Sequence, residues 1–428
     1  MSDWTSDANE SLTLSLVRSQ EDKDILGEGE SYEKFHPSFT YPIYGEDEKI
    51  YGYRDLSIDL RFASGSLEQY LSVIYSEKLP STSTVDDVEG TLREFIPSGY
   101  HTDLATFHER VESDASSFRP SGQLIHSYTR PAPSSTSKGK RKRSGNQAID
   151  PDSEEAIEYE VYHATWDTPG FREYHRKMQL FILLYIEGGS YINEEEDTWE
   201  FVILFEKRKR RDPSHGVAYH FVGYSSLYPF YYFPEKVRLR LSQFVILTPY
   251  QRQGHGCELY KGIYQYILKN PNIAELTVED PAEAFEDLRD KNDLEMLLAN
   301  EQFLEEGFGE QASGRARKSG RGQLASAKFP SQGKLVPPAN KAWMEKWRKD
   351  LKIAGRQFQR LVEMLILFHL DPSDKAKLRA YRLQVKERLY RFNFEILAQL
   401  EEEERYEKLE ETFQSVKEDY HRILKFVN

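Results

Sequence analysis

Apolar and polar positions alternate in "SLTLSLV" (11–17), a period of two that predicts a half-buried strand. "FTYPIYGEDEKIYGYRDLSIDLRF" (39–62) continues with aromatic and β-branched residues broken by Gly and Pro, the makeup of strands and turns. "LEQYLSVIYSEKL" (67–79) reads as an amphipathic helix. Four consecutive strands are predicted at "KMQLFILLYIEGGSYI" (177–192), "TWEFVILFEKRKR" (198–210), "VAYHFVGYSSLYPFYYF" (217–233) and "VRLRLSQFVILTP" (237–249). A Gly-containing turn, the helix "CELYKGIYQYILKN" (257–270) and a fifth strand, "IAELTVED" (273–280), follow. Pro281 stops that strand ahead of another helix, 282–300. Strand, turn, helix, strand is a crossover unit, so a largely parallel pairing is expected. Beyond residue 340, three charged periodic runs (358–370, 380–404 and 412–427) predict helices of an accessory bundle.

Two stretches interrupt this pattern. Residues 131–155 have almost no large apolar side chain and carry the basic run "KGKRKR" (138–143), which fits a solvated loop, a nuclear import signal or a nucleic-acid tether. A second break, 309–338, is basic through Arg315, Arg317, Lys318 and Arg321. The organisation expected is a mixed α/β domain (1–130), a basic Ser/Pro loop (131–155), a core (156–306), a low-complexity linker (307–339) and a helical domain (340–428).

Composition narrows the function classes. The 428 residues include 39% hydrophobic and 13% aromatic positions, enough for a sizeable core. No apolar run reaches the ~18 residues of a membrane span, and the acidic start "MSDWTSDANE" lacks a signal-peptide pattern. A soluble intracellular protein is expected. A single cysteine, Cys257, excludes an internal disulfide framework, and the 11 histidines show no metal-ligand spacing, so no metal is expected. Net charge is −14, and residues 1–60 hold 14 acidic against 5 basic residues. Such a surface attracts basic partners and repels nucleic acid, although a solvated, solubilising face is the simpler account of any charge run.

The turn "TPYQRQGHGCELY" (248–260) carries the candidate chemistry. Gly254 and Gly256 lie between strand and helix, where glycine permits φ > 0 and close approach of backbone N–H groups. A helix N-terminus adds N–H donors and a positive dipole end suited to phosphate, and Arg252 adds a cation. The spacing matches neither a Walker A motif nor GxGxxG, and a bare GxG also fits an ordinary tight turn.

Gln251-x-x-Gly254-x-Gly256 nevertheless has the form of the acetyl-CoA loop of GCN5-related N-acetyltransferases, and it sits between a fourth strand and a helix as theirs does. With "QFVILTPYQRQGHG", "LTVEDPAEAFEDLRDKND" and "LLYIEGGSYI" the chain resembles type B histone acetyltransferase catalytic subunits over roughly residues 9–305. The resemblance implies an α+β fold: a GCN5-related N-acetyltransferase core, a mixed sheet flanked by helices, with the N-terminal α/β domain and the C-terminal helical bundle attached. It also implies acetyl-CoA as co-substrate, held by the backbone of Phe244, Val245 and Ile246 and by Gln251, Arg252, Gln253, Gly254, His255, Gly256 and Cys257. His255 is read as a loop contact rather than a base, and Cys257 as packing rather than a nucleophile.

A lysine amine must lose its proton before attacking a thioester, which at pH 7 costs roughly 4.6 kcal/mol from a pKa near 10.4. A carboxylate can accept that proton. By resemblance Glu279 of "VEDP" is the general base, with Glu187 and Asp280 as supporting acids. Glu-Asp-Pro also reads as a strand terminator whose acids cap the next helix. The resemblance further implies a basic, extended acceptor, the N-terminal tail of newly made, non-nucleosomal histone four with its dimer partner. The tail would meet Glu46, Asp47, Glu48, Tyr228, Pro229 and Phe230. A WD-repeat propeller chaperone as partner, and residence in both cytoplasm and nucleus, are expected on the same ground. Another protein or small-amine acceptor, or a non-catalytic histone-binding scaffold, are the other classes considered.

Overall fold

The alternation in "SLTLSLV" becomes strand β1, Leu12–Val17. It pairs in parallel with β2, Ser57–Ala63, in the register Leu12↔Ile58 to Val17↔Ala63. β2 pairs antiparallel with β3, Gln69–Ile74. Leu12, Leu14, Leu16, Ile58, Leu60 and Phe62 are all buried, so the period-two pattern does point one set of side chains inward. Helix α1, Leu104–Ser117, capped by Asp103, packs Phe107 and Val111 against Val17, Ala63 and Tyr70. The helix expected at 67–79 is therefore corrected to a strand. Its Gln, Tyr, Val and Ile residues satisfy their backbone groups on β2, and tertiary pairing overrides a short helical spacing.

These coordinates come from a computed structural model that describes residues 4–27, 29–80, 82–132, 156–210, 216–309 and 333–427. The runs 138–143 and 315–321 lie outside the described residues. The chain divides into two units, Met1–Phe230 with Arg240–Tyr266, and Tyr231–Leu239 with Ile267–Asn428.

The first unit also holds a meander. It comprises β4, Gln123–Pro131, β5, Ala156–Thr165, β6, Glu200–Lys209, β7, Val217–Tyr232, as far as Phe230, and β8, Lys236–Ile246, from Arg240 on, in the spatial order β8-β7-β6-β5-β4. β4 with β5, β5 with β6 and β6 with β7 are antiparallel. The largely parallel sheet expected from the crossover unit is thus wrong for this part, where hairpin-type neighbours dominate. A bulge opposite Leu204/Phe205 leaves Val222 out of the ladder, and its carbonyl accepts the N–H of Leu247 at 3.0 Å. The strand expected at 177–192 is replaced by two helices, α2, Phe171–Met178, and α3, Leu180–Tyr185. All of 180–184 is buried, and a run apolar on every side does not distinguish buried strand from buried helix. Helix α4, His255–Lys269, follows β8.

In the second unit β9, Ile273–Val278, lies beside the Lys236–Leu239 stretch. Val237 N–H donates to Asn272 O at 2.9 Å and Thr277 Oγ1 meets Leu239 O at 3.5 Å, numbers that rise together, which is the parallel sense. Helices α5, Glu283–Ala299, α6, Glu301–Phe308, α7, Lys341–Asp350, α8, Gly355–His369, α9, Lys375–Phe392, and α10, Glu402–Val427, make up most of its described residues, with a one-turn helix, Phe394–Leu397, between the last two. The first three-helix expectation for this end omitted α7, whose Trp343 and Trp347 both donate to Glu306 Oε2. α8 is buried on most sides at its centre and gives the other helices a common core.

Candidate active site

β8 delivers the Gly loop. Past Ile246 the chain turns through Thr248–Tyr250, and two glutamines close the loop on itself. Gln251 Nε2 donates to Ile246 O at 2.8 Å and Gln253 Nε2 to Pro249 O at 2.8 Å. Gln251, Arg252 and Gln253 are exposed. Arg252 has φ +59° and Gly254 φ +86°, so the loop is left-handed at two points. A Cβ on Gly254 would also lie 2.8 Å from the Arg130 guanidinium, a second reason for glycine there. α4 begins at His255, so its first-turn N–H groups and positive dipole end adjoin the exposed run. This geometry fits a pyrophosphate: an exposed left-handed turn, a helix N-terminus and the exposed cation Arg252.

The side chains on either side of that run are buried. Tyr250 donates to Glu206 Oε2 at 2.7 Å and accepts from Arg18 Nη2 at 2.9 Å. Burial works against ionisation of Glu206, but Arg18 and Arg208 beside it hold its carboxyl well below the usual range. His255 shares a hydrogen bond of 2.7 Å with the Tyr128 hydroxyl and lies 4.5 Å from the Tyr159 ring. Burial, then Arg130, pushes the His255 pKa down to about 4. A neutral, enclosed imidazole with that pKa is a poor general base at pH 7, in keeping with a role inside the loop. Val245 is buried while Phe244, Ile246, Gly256 and Cys257 are half-buried.

The acidic candidates divide. Glu187 follows α3, not a strand, and is exposed just before Gly188, whose φ is +70°. Gly188 N–H donates to the Tyr41 hydroxyl at 2.6 Å, and Tyr41 N–H donates to Glu48 Oε1 at 3.1 Å. Tyr41 thereby brings the Glu187 turn and the 46–48 turn together. Glu46 and Asp47 are exposed. Glu48 is not available in the same way, because its carboxylate also accepts from Thr40 N–H and Asn9 Nδ2, each at 2.7 Å. Tyr228 packs edge-on to Trp199 at 4.8 Å and against Phe230 at 4.9 Å, and Arg240 sits 4.2 Å over the Phe230 ring. Pro229 is half-buried between them.

Glu279 and Asp280 belong to the second unit, where both are exposed at the end of β9. Asp280 has φ +30°. The residue at the N-cap of α5 is Ala282, which has no side-chain cap bond of its own. Among the described residues no group of three or more His, Cys, Asp or Glu could hold a metal ion, and no helix is long and apolar enough to cross a membrane.

A family model described as the N-terminus of histone acetyltransferase HAT1 matches residues 4–187, and one described as the C-terminal region of fungal HAT1 matches residues 322–371. The histone acetyltransferase type B catalytic subunit of Cryptococcus neoformans is 48% identical over 430 residues, covering 99% of this chain and 98% of that protein. The chain belongs to the type B histone acetyltransferase catalytic subunit family. The human protein of that name is 29% identical over 446 residues, covering 99% of this chain and 94% of its own. A solved aminoglycoside acetyltransferase from a soil metagenomic sample is 14% identical with a TM-score of 0.22, covering 40% of this chain and 95% of that one.

Within this type B chain, reading the sequence missed the residues beneath the loop: Arg18, Tyr128, Arg130, Glu206 and Tyr250. Tyr250 stood inside the quoted motif, and charged residues within the apolar strand run 201–210 were a signal for Glu206. Arg18 and Tyr128 carried none, since only the fold brings residues more than one hundred positions apart together.

Proposed function

We propose that this histone lysine acetyltransferase moves acetyl from acetyl-CoA to lysines in the N-terminal tail of histone four, with Glu279 accepting the amine proton. The observation that carries the cofactor assignment is the exposed, left-handed loop 251–254 at the start of α4. Bound acetyl-CoA supplies an activated thioester carbonyl. The chain's part is to hold it: loop and first-turn N–H groups for the pyrophosphate, and the backbone of Phe244, Val245 and Ile246 for the extended pantetheine arm, as a strand edge holds another strand. A backbone N–H of β8 is the donor for charge developing on the carbonyl oxygen. Glu279, exposed and able to reach water, takes the lysine proton directly or through a water, with Glu187 and Asp280 in support.

Exposed Glu46 and Asp47 and the Tyr228–Phe230 aromatic pair supply the acidic and aromatic surface that a basic, glycine-rich tail requires. Glu48 shapes that turn. The same reading carries a WD-repeat propeller chaperone as partner and activity on the histone dimer in cytoplasm and nucleus, and the basic run 138–143 has the composition of an import signal.

The deciding experiment is acetyl transfer from acetyl-CoA to a histone four tail peptide, with mass spectrometry locating the modified lysine. Transfer to defined tail lysines is expected; binding of acetyl-CoA without transfer would move the reading to another acceptor. Glu279→Gln should lower turnover on the order of 100-fold or more near neutral pH while acetyl-CoA affinity holds. Unchanged turnover would remove Glu279 from the mechanism.

A further inference from the structure

The exposed run 251–253 is bracketed by two anchors of buried polar groups. At one end the Tyr250 ring is 1% exposed, and its hydroxyl both donates to Glu206 and accepts from Arg18. The Arg18–Glu206 pair is 2.8 Å apart, with side chains 1% and 0% exposed. Arg208 contacts Glu206 too and continues to Glu30, while the Arg18 guanidinium lies 3.8 Å over the Tyr32 ring. At the other end His255 is held by Tyr128, whose ring stacks on Tyr159 at 5.1 Å.

Ion pairs so far from water gain little net stability over apolar residues of the same size, so stability alone is a poor account of them. What they supply is directional. A phenol clamped as donor and acceptor at once has one place to sit, and a clamped ring fixes the backbone that carries it. Between the clamps Arg252 holds a left-handed backbone that a non-glycine residue keeps only where its surroundings over-determine it.

We propose that Tyr250 and His255 are positioning residues, fastened by Arg18–Glu206 and by Tyr128, which hold the 251–254 loop in its ligand-ready shape before acetyl-CoA arrives. The proposal rests on the reading of that loop as the acetyl-CoA site. Acting through the loop backbone, each side chain removes the cost of ordering the loop on binding. A consequence follows for the N-terminal sheet. Through Arg18, which directly follows β1, that sheet contributes to cofactor affinity.

The test uses the full chain and compares wild type with Tyr250→Phe and Tyr128→Phe. Calorimetric titration with acetyl-CoA, steady-state kinetics with a histone tail peptide and thermal unfolding are measured on each. Loss of the two hydrogen bonds to charged groups at Tyr250 should raise the Kd and KM for acetyl-CoA about tenfold or more. Tyr128→Phe should raise them by a smaller factor. In both, kcat at saturating acetyl-CoA and the KM for peptide should stay within about twofold, the split expected when only ground-state cofactor binding is lost. A lower melting temperature with unchanged acetyl-CoA Kd would make the anchors merely structural and overturn the proposal. Should Tyr250→Phe not fold, Tyr128→Phe, which deletes one hydrogen bond at the other end, decides by the same readout. If wild type itself does not bind acetyl-CoA, the loop assignment fails, a result separable from failure of the anchors.

Discussion

At the scale of single residues, the buried histidines set a pH limit on the first unit. His175 is fully enclosed, with Trp166, Phe201 and Phe171 rings around it and neither ring nitrogen bonded. Burial pushes its pKa down to about 4. An unfolded chain binds that proton near pH 6.5, so between about pH 6.5 and 4 the unfolded state holds more protons and stability rises with pH. His175 therefore contributes full stability above pH 6.5 and loses roughly 2 kcal/mol of it by pH 5. Chemical denaturation at pH 7.5 and 5.0 should show wild type weakened in acid and His175→Leu weakened less. Equal losses in both would mean that His175 titrates alike in the folded and unfolded chain. His255, with the same direction of shift, adds a second such loss beneath the cofactor loop.

At the scale of elements, the join between β7 and β8 positions the strand proposed to hold acetyl-CoA. Gly223 lies beside the Val222 bulge, and a Cβ there would meet Val245 O at 2.2 Å and Ile246 Cα at 2.9 Å. Backbone cannot yield as a side-chain tip can, so Gly223→Ala must push the two strands apart. A loss of about 1–3 kcal/mol in stability is expected, with weaker acetyl-CoA binding because Val245 and Ile246 move. Native stability and unaltered cofactor affinity would show that this approach is slack. The strands 200–209, 217–232, 236–246 and 273–278 were legible, since their apolar runs are long and bounded by turn residues. β5 was passed over because Glu158, Glu160 and His163 interrupt its apolar pattern. Glu160 is in fact buried and bonded by Tyr162 and Lys207. The Gly loop was legible as local chemistry. Its anchors were not, because Arg18 with Glu206 and Tyr128 with His255 are contacts created by the fold.

On the scale of the whole molecule, charge decides how a basic acceptor arrives. A net charge of −14 attracts a basic acceptor, such as the tail proposed above, from a distance, and salt screens that attraction within about 8–10 Å at physiological strength. If the exposed acids near the tail surface carry a real share of it, catalytic efficiency on a tail peptide should fall several-fold between ~0.05 and ~0.3 M salt. The kcat at saturating peptide should hardly change, because the bound complex keeps its contacts. Glu46 and Asp47 are exposed, while the Glu48 carboxylate is committed to Thr40, Tyr41 and Asn9. The double variant Glu46→Gln with Asp47→Asn should therefore flatten the salt dependence and leave the melting temperature alone. Glu48→Gln should instead lower the melting temperature, since it weakens bonds to two backbone N–H groups and one amide. A salt slope unmoved by the double variant, with efficiency still falling steeply, would place the attraction elsewhere on the acidic surface and remove the 46–47 turn from the tail's approach.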